Sequence, residues 1–178
     1  MKIRNVLMCS MFIVLGLGLS ACSSNKQEEK TVSDSPTSQI SGALAIVKTD
    51  KGEFSFTLDA KNAPSSVKTF TDMAPKYAGR IFHRVEDWVV QGGDPLGTGT
   101  GGGDQNTELS SQPFTVGSVG IARGGDIKIS NDSQFFICKT DCSFLTGKYT
   151  YLGQVKSGMD VVEKIQIGDK INSVNIGQ

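Results

Sequence analysis

Residues 81–103 read IFHRVEDWVVQGGDPLGTGTGGG, and their reading decides the architecture. Ile81 to Val85 and Trp88 to Gln91 are short runs of β-branched and aromatic residues, the composition of strands. From Gly92 the chain turns loop-rich and stays so to Gln112. Of the 21 glycines, 11 lie between Gly92 and Gly125, which argues against a long helical bundle. The run Gly97-Thr98-Gly99-Thr100-Gly101-Gly102-Gly103 invites comparison with a phosphate loop. A Walker loop ends in Gly-Lys-Ser/Thr and opens a helix, and a dinucleotide fingerprint needs a helix too. Here the chain continues Asp104-Gln105 and no helix is predicted, so the run reads as a tight surface loop.

Outward from this centre, short strands recur. Ala43 to Thr49 and Glu53 to Asp59 flank the turn Asp50-Lys51-Gly52, and Phe54, Phe56 and Leu58 alternate with polar residues. Pro64 opens a helix in which Val67, Phe70 and Ala74 recur at helical spacing, and Gly79 ends it. Ser118 to Ala122, Gln134 to Cys138, Tyr151 to Lys156 and Ile171 to Ile176 read as further strands. Met159 to Ile165 predicts a short helix with Met159, Val162 and Ile165 on one face. Many short strands with two helices predict a mainly β barrel or sandwich with helices at its ends.

The 178 residues suit one domain with a tail. Eighteen basic residues balance 18 acidic ones, which argues against a nucleic-acid partner. At the N-terminus, Lys2 and Arg4 precede the uncharged apolar stretch Val6 to Leu19, the n- and h-regions of a bacterial export signal. The stretch is shorter than the ~20 residues that span a bilayer. It ends in Leu19-Ser20-Ala21-Cys22, which resembles the lipobox of bacterial lipoproteins. That resemblance implies a mature chain beginning at a diacylglycerol-bearing Cys22; ordinary cleavage would leave Cys22 a free thiol. Loss of residues 1–21 removes two of the 18 basic residues and leaves a net charge of −2, so lipid rather than charge would anchor the protein. Ser23 to Ser41 is rich in Ser and charge and too poor in apolar residues to fold, so it reads as a flexible tether. The expected organisation is a signal at 1–21, a lipidated Cys and tether at 22–40, and a folded domain at 41–178.

Inside that domain few residues announce chemistry by themselves. The chain has a single His, which excludes multi-His metal sites. Taken alone, His83 reads as a hydrogen-bonded structural residue, since a triad needs a nucleophile beside it and no Gly-x-Ser-x-Gly elbow occurs. Taken alone, Arg84 reads as half of an ion pair with Glu86 or Asp87. Cys138 and Cys142 lack partner ligands for zinc. Fully extended, their Cα atoms would stand ~13 Å apart, so a disulfide requires a turn at Thr140-Asp141. Bridged and free forms both remain open. Asn131-Asp132-Ser133 matches a glycosylation sequon, read here as chance.

Read together, a set of ordered motifs is more informative. Phe82-His83-Arg84-Val85, Val90-Gln91-Gly92-Gly93-Asp94-Pro95 and Gly97-Thr98-Gly99-Thr100-Gly101-Gly102 closely resemble the cyclophilin family of peptidyl-prolyl cis-trans isomerases. So do Gly117-Ser118-Val119-Gly120-Ile121-Ala122-Arg123, Ser133-Gln134-Phe135-Phe136-Ile137, Leu145-Thr146-Gly147-Lys148-Tyr149, Gly153-Gln154-Val155 and Gly158 to Ile165. The similarity runs in order from about Ser41 to Ile176. It implies a closed antiparallel eight-stranded barrel capped by two helices.

Position by position, the resemblance implies that Arg84 is the catalytic arginine and Gln91 the glutamine that helps hold the substrate backbone. Trp88 and Val89 fall at pocket positions usually held by Phe and Met. Phe136 and Leu145 match walls of the proline pocket, and His83, Ala122, Arg123 and Gln134 match substrate-contacting positions. Arg123 replaces a frequent Asn, Phe144 stands where many eukaryotic members have Trp, and Tyr149 where many have His. Phe144 lacks an indole N–H donor, which weakens the case for tight cyclosporin binding.

The implied reaction needs no cofactor and no metal, because no bond to the enzyme is made. The expected partners are proline-containing polypeptides and, through the lipid, a membrane; the chain is expected to act as a monomer outside the cytoplasm, on the cell surface or the periplasmic side. Two other classes compete: a groove that only binds proline segments, and a small-ligand barrel. The second needs an apolar interior cavity, and Arg84→Ala separates the first from an enzyme.

Overall fold

The computed structural model describes residues 42–177. The expected signal, Cys22 and the whole tether lie outside these described residues. Ten strands, two α-helices and two 3-10 turns follow in order. The first strands are β1 (Leu44–Thr49) and β2 (Gly52–Leu58), followed by α1 (Pro64–Met73), β3 (Phe82–Val85), β4 (Val89–Gly92) and β5 (Asp104–Asn106). Next come β6 (Ser118–Ile121), β7 (Ile129–Asn131), β8 (Phe135–Cys138), β9 (Tyr151–Ser157), α2 (Met159–Lys164) and β10 (Ile171–Gly177). Eight strands form one sheet in the order β10-β1-β2-β9-β6-β8-β4-β3, and the strand pairs within it are antiparallel.

The two edges of that sheet meet along a short seam. Phe82 N–H donates to Asp169 O, Ile171 N–H to Arg80 O, Gly79 N–H to Ile171 O and Gly168 N–H to Phe82 O, with Ile81 and Lys170 bridged. The sheet thus curls into a barrel whose closure rests on residues 79–82 and 168–171 rather than on a long ladder. Closing the sheet shields edges that would otherwise expose unpaired backbone groups.

The period of two sorts the side chains. Phe54, Phe56, Leu58, Val90, Val119, Phe135 and Ile137 join one buried core with Val67 and Phe70 of α1 and Val162 of α2. Phe70, Tyr77, Phe82 and Phe135 meet mostly edge to face, with centroids 5.2 to 6.3 Å apart. Pro64 starts α1, but the helix does not run to Gly79: it ends at Met73 and tightens into a 3-10 turn over Ala74–Lys76. Pro75, which has no N–H, interrupts the α-helical ladder there. A distant carboxylate caps the helix, since both oxygens of Glu108 accept the Ser65 and Ser66 N–H groups at 3.0 and 2.7 Å. Within the loop-rich stretch, β5 pairs with β7 as a separate two-stranded sheet. Both are three residues long and show no alternation that would predict them.

Candidate active site

Strand register assembles the site. Arg84 pairs with Gln91, Gln91 with Phe136, Phe136 with Gly120 and Gly120 with Tyr151. Residues directly opposite in a sheet share a face, so one row crosses β3, β4, β8, β6 and β9 with every member on the outer side. Gly120 is where that row needs a missing side chain. A Cβ there would run into the rings of Phe136 and Phe114, which stack over the gap with centroids 5.7 Å apart.

Arg84 is held from two directions. Its Nε donates to Glu86 Oε1 at 2.7 Å, and its Nη1 donates to Gln91 Oε1 at 3.3 Å. Glu86 Oε2 in turn accepts the Trp88 indole N–H at 2.7 Å, and the guanidinium lies 5.2 Å from the Trp88 ring centroid. The Arg84 hydrogen bond, reinforced by the guanidinium charge and the indole, holds the Glu86 carboxyl below the ordinary carboxylate range. The ion pair that a bland reading would assign to Arg84 is therefore present, and it orients the same guanidinium toward Gln91. Behind Gln91, its Nε2 donates to Gln134 Oε1 at 2.9 Å, and Gln134 Nε2 donates to Gly101 O at 2.8 Å and Gly99 O at 3.2 Å. The glycine-rich loop thus braces the side-chain chain that ends at Arg84.

The cleft beside this chain has about 350 Å³ of open space. Arg84, Trp88, Val89, Gln91, Ala122, Arg123, Phe136, Leu145 and Tyr149 line it. Phe136 and Leu145 are buried, and Tyr149 stands edge-on to Phe136 at 5.6 Å. Trp88 is half-buried and lines the cleft rather than filling the core. Phe144 is 55% exposed and packs against Trp88 at the rim, 5.5 Å between centroids. Gln134 lies behind Gln91, out of the lining. Sequence reasoning missed one support and half the role of another. Phe114 backs Phe136 from a non-strand segment tied down by Thr146 and Cys142. Glu86, expected only as an ion-pair partner of Arg84, also couples that residue to Trp88 across the turn between β3 and β4.

His83 is placed differently from its expectation. It does not line the cleft, and neither ring nitrogen has a hydrogen-bond partner among the described residues. Burial lowers its pKa from the ordinary imidazole value, against the pull of Asp94, so the ring is neutral near pH 7. It lies beneath the loop, 3.4 Å from where a Cβ on Gly99 would stand. The hydrogen-bonded structural reading is thus corrected: the imidazole packs as a neutral slab. Nearby, Asp94 is buried and organises the loop. Burial opposes its ionisation, but N–H donors from Leu96, Gly99 and Thr98 outweigh that and keep its carboxyl below the usual range. Asn131 of the sequon also has a structural role. Its Oδ1 accepts the N–H groups of Ser133 and Gln134, and its Nδ2 donates to Gly101 O.

Cys138 and Cys142 are free thiols, both buried, and the Cys142 Sγ donates to Thr140 O at 3.5 Å and Trp88 O at 3.9 Å. They sit in the apolar cluster with Val89, Phe114, Phe136 and Leu145. Burial pushes both thiols above their ordinary range, Cys138 well above it, so neither is a ready nucleophile.

Comparison with known proteins is consistent along the domain. Residues 44–176 match the family described as cyclophilin type peptidyl-prolyl cis-trans isomerase/CLD. A peptidyl-prolyl cis-trans isomerase of Helicobacter pylori is 40% identical over 141 residues, covering 74% of this chain and 85% of that protein. Peptidyl-prolyl cis-trans isomerase 9 of Schizosaccharomyces pombe is 38% identical over 141 residues, covering 72% of this chain and 22% of that protein. The crystal structure of a cyclophilin type isomerase from Cryptosporidium parvum superposes with a TM-score of 0.70 at 25% identity, covering 76% of this chain and 97% of that one.

Proposed function

This chain belongs to the cyclophilin-type peptidyl-prolyl cis-trans isomerases, and from that premise we propose how it works and where: an isomerase of X-Pro bonds in exported proteins, tethered by lipid outside the cytoplasm, with Arg84 as its catalytic residue. An X-Pro amide turns over a barrier of ~18–20 kcal/mol because resonance must be broken. Uncatalysed exchange takes tens to hundreds of seconds. An enzyme lowers that barrier by binding the twisted amide more tightly than the planar one. In the twisted state the prolyl nitrogen regains its lone pair. Arg84 donates a hydrogen bond to that lone pair and so weakens the C–N double-bond character.

The observation that carries this reading is the fixing of the Arg84 guanidinium between Glu86 and Gln91 at the edge of an apolar cleft. Arg is always protonated and presents five donors in a planar fork. Two are engaged by Glu86 and Gln91, which leaves others for the substrate. Phe136, Leu145, Val89 and Tyr149 hold the proline ring while the acyl side rotates. Gln91 both accepts and donates, and it steadies the groups around the turning amide. Donors already oriented in a partly dry cleft do more than the same donors in water.

The location rests on Leu19-Ser20-Ala21-Cys22 after an apolar leader. Two measurements test the proposal. In a cis-to-trans exchange assay on an Ala-Pro peptide, the protein accelerates exchange and Arg84→Ala abolishes most of that acceleration while still binding the peptide. Equal turnover by the variant would overturn the role of Arg84. For the location, mass spectrometry of the membrane fraction should find an acylated N-terminal Cys22, and Cys22→Ala should release the protein from membranes.

A further inference from the structure

Arg123 follows β6 on the Tyr149 side of the cleft. Its guanidinium carbon lies 4.5 Å from the Tyr149 ring centroid. Its Nε donates to Lys148 O at 2.8 Å and its Nη1 to Gly124 O at 2.9 Å. Those three contacts hold the fork in place, yet they use only two of its five N–H donors. None of them is to an anion. Among the described residues no carboxylate pairs with Arg123, whereas the cleft's other cation, Arg84, is paired with Glu86. No carboxylate lines the cleft. One lip is therefore neutralised and the other carries an uncompensated, already oriented positive charge.

A guanidinium can also hold a peptide carbonyl, but its charge adds most where the acceptor is itself an anion. A fixed guanidinium with free donors matches the planar, two-oxygen acceptor of a carboxylate. Because the fork is already ordered, capturing such a group costs little side-chain entropy. We infer that Arg123 sets the substrate preference of this enzyme, favouring proline segments that carry Asp or Glu beside the X-Pro unit. The inference rests on the cleft being the X-Pro binding site.

The test is the rate of cis-to-trans exchange by the full chain on Ala-Pro peptides whose flanking positions carry Glu, Gln or Lys in turn. The expected order in kcat/KM is Glu over Gln over Lys at one flanking position. Glu should exceed Gln by about three- to fivefold, in KM rather than kcat, the scale of a partly exposed ion pair. Salt at about 0.5 M should erase most of it. Arg123→Gln should bring the three peptides together, and Arg123→Glu should place Lys ahead of Glu. A wild type indifferent to charge, or an order that survives in Arg123→Glu, overturns the inference. A uniform loss on all three peptides does so too, since that marks a backbone contact. If Arg123→Glu misfolds, Arg123→Gln and the salt series decide. If no peptide is turned over at all, the isomerase reading fails separately, and calorimetric affinities for the same peptides then show the charge order or its absence.

Discussion

Among single residues, Arg84, Glu86 and His83 make the sharpest claims. Arg84→Lys keeps the charge but loses the planar fork, so it cannot donate to Glu86, Gln91 and the substrate at once. It should fold normally and lose about 10²-fold or more in kcat/KM, the scale of one preorganised donor. Circular dichroism beside the exchange assay separates the two effects. Glu86 is a positioning residue, so Glu86→Gln should cost less, roughly three- to tenfold and mainly in kcat, and should alter Trp88 fluorescence, because one amide oxygen must replace the two carboxylate oxygens that accept from Arg84 and from the indole N–H. His83 supplies a pH prediction. Burial lowers its folded pKa, so between the ordinary imidazole value and the folded value the unfolded chain binds a proton that the folded chain does not. Its contribution to stability is complete above pH ~6.5 and shrinks as pH falls through that window. It is the only His in the chain, so His83→Gln should flatten the dependence of Tm on pH just below about 6.5. An unchanged slope in the variant would refute this account.

Among the elements, the glycine-rich loop and strand β6 hold the site in shape. Asp94 anchors the loop through three backbone N–H groups, and the loop carbonyls of Gly99 and Gly101 fix Gln134, which fixes Gln91. Asp94→Asn leaves an amide with one acceptor oxygen facing donors that need two. It should destabilise the fold by about 1–3 kcal/mol and lower kcat/KM without any contact to substrate. Hydrogen exchange of the Thr98 and Gly99 amides should speed up in the variant, whereas amides of β1 should not. Gly120→Ala tests the row across the sheet. The added methyl must displace the Phe136 and Phe114 rings, an overpacking change that costs about 1–3 kcal/mol. Because Phe136 is the proposed wall of the proline pocket, KM should rise along with the loss of stability.

In the whole molecule, two apolar clusters are built on opposite faces of one sheet, and the outer one holds the two thiols. Alkylation followed by peptide mass spectrometry, without reductant, should modify Cys138 and Cys142 only after denaturation. A bridged peptide would contradict the free, buried pair. The main sheet was legible from the residues: all eight of its strands and both helices follow from alternation, helical spacing and turn residues, which are local patterns. The site was legible only through the family motifs, because Arg84 and Gln91 carry no local signature of their chemistry. Other features depend on partners distant along the chain. The β5–β7 pair, the seam between residues 79–82 and 168–171, the Glu108 cap on α1 and the Gln91–Gln134 bond all join segments far apart in sequence. Periodicity reports which face a residue takes, not which distant atom it meets. The same holds for His83, whose neutral packing depends on a loop that passes over it, and for Cys138 and Cys142, whose spacing permitted either redox form. Local patterning and ordered motifs were enough for the strands, the helices and the family. The Arg84–Glu86 pair was readable two residues away, whereas the absence of any paired carboxylate at Arg123 among the described residues depended on how distant segments pack, and that packing left Arg123 as the open cation of the cleft.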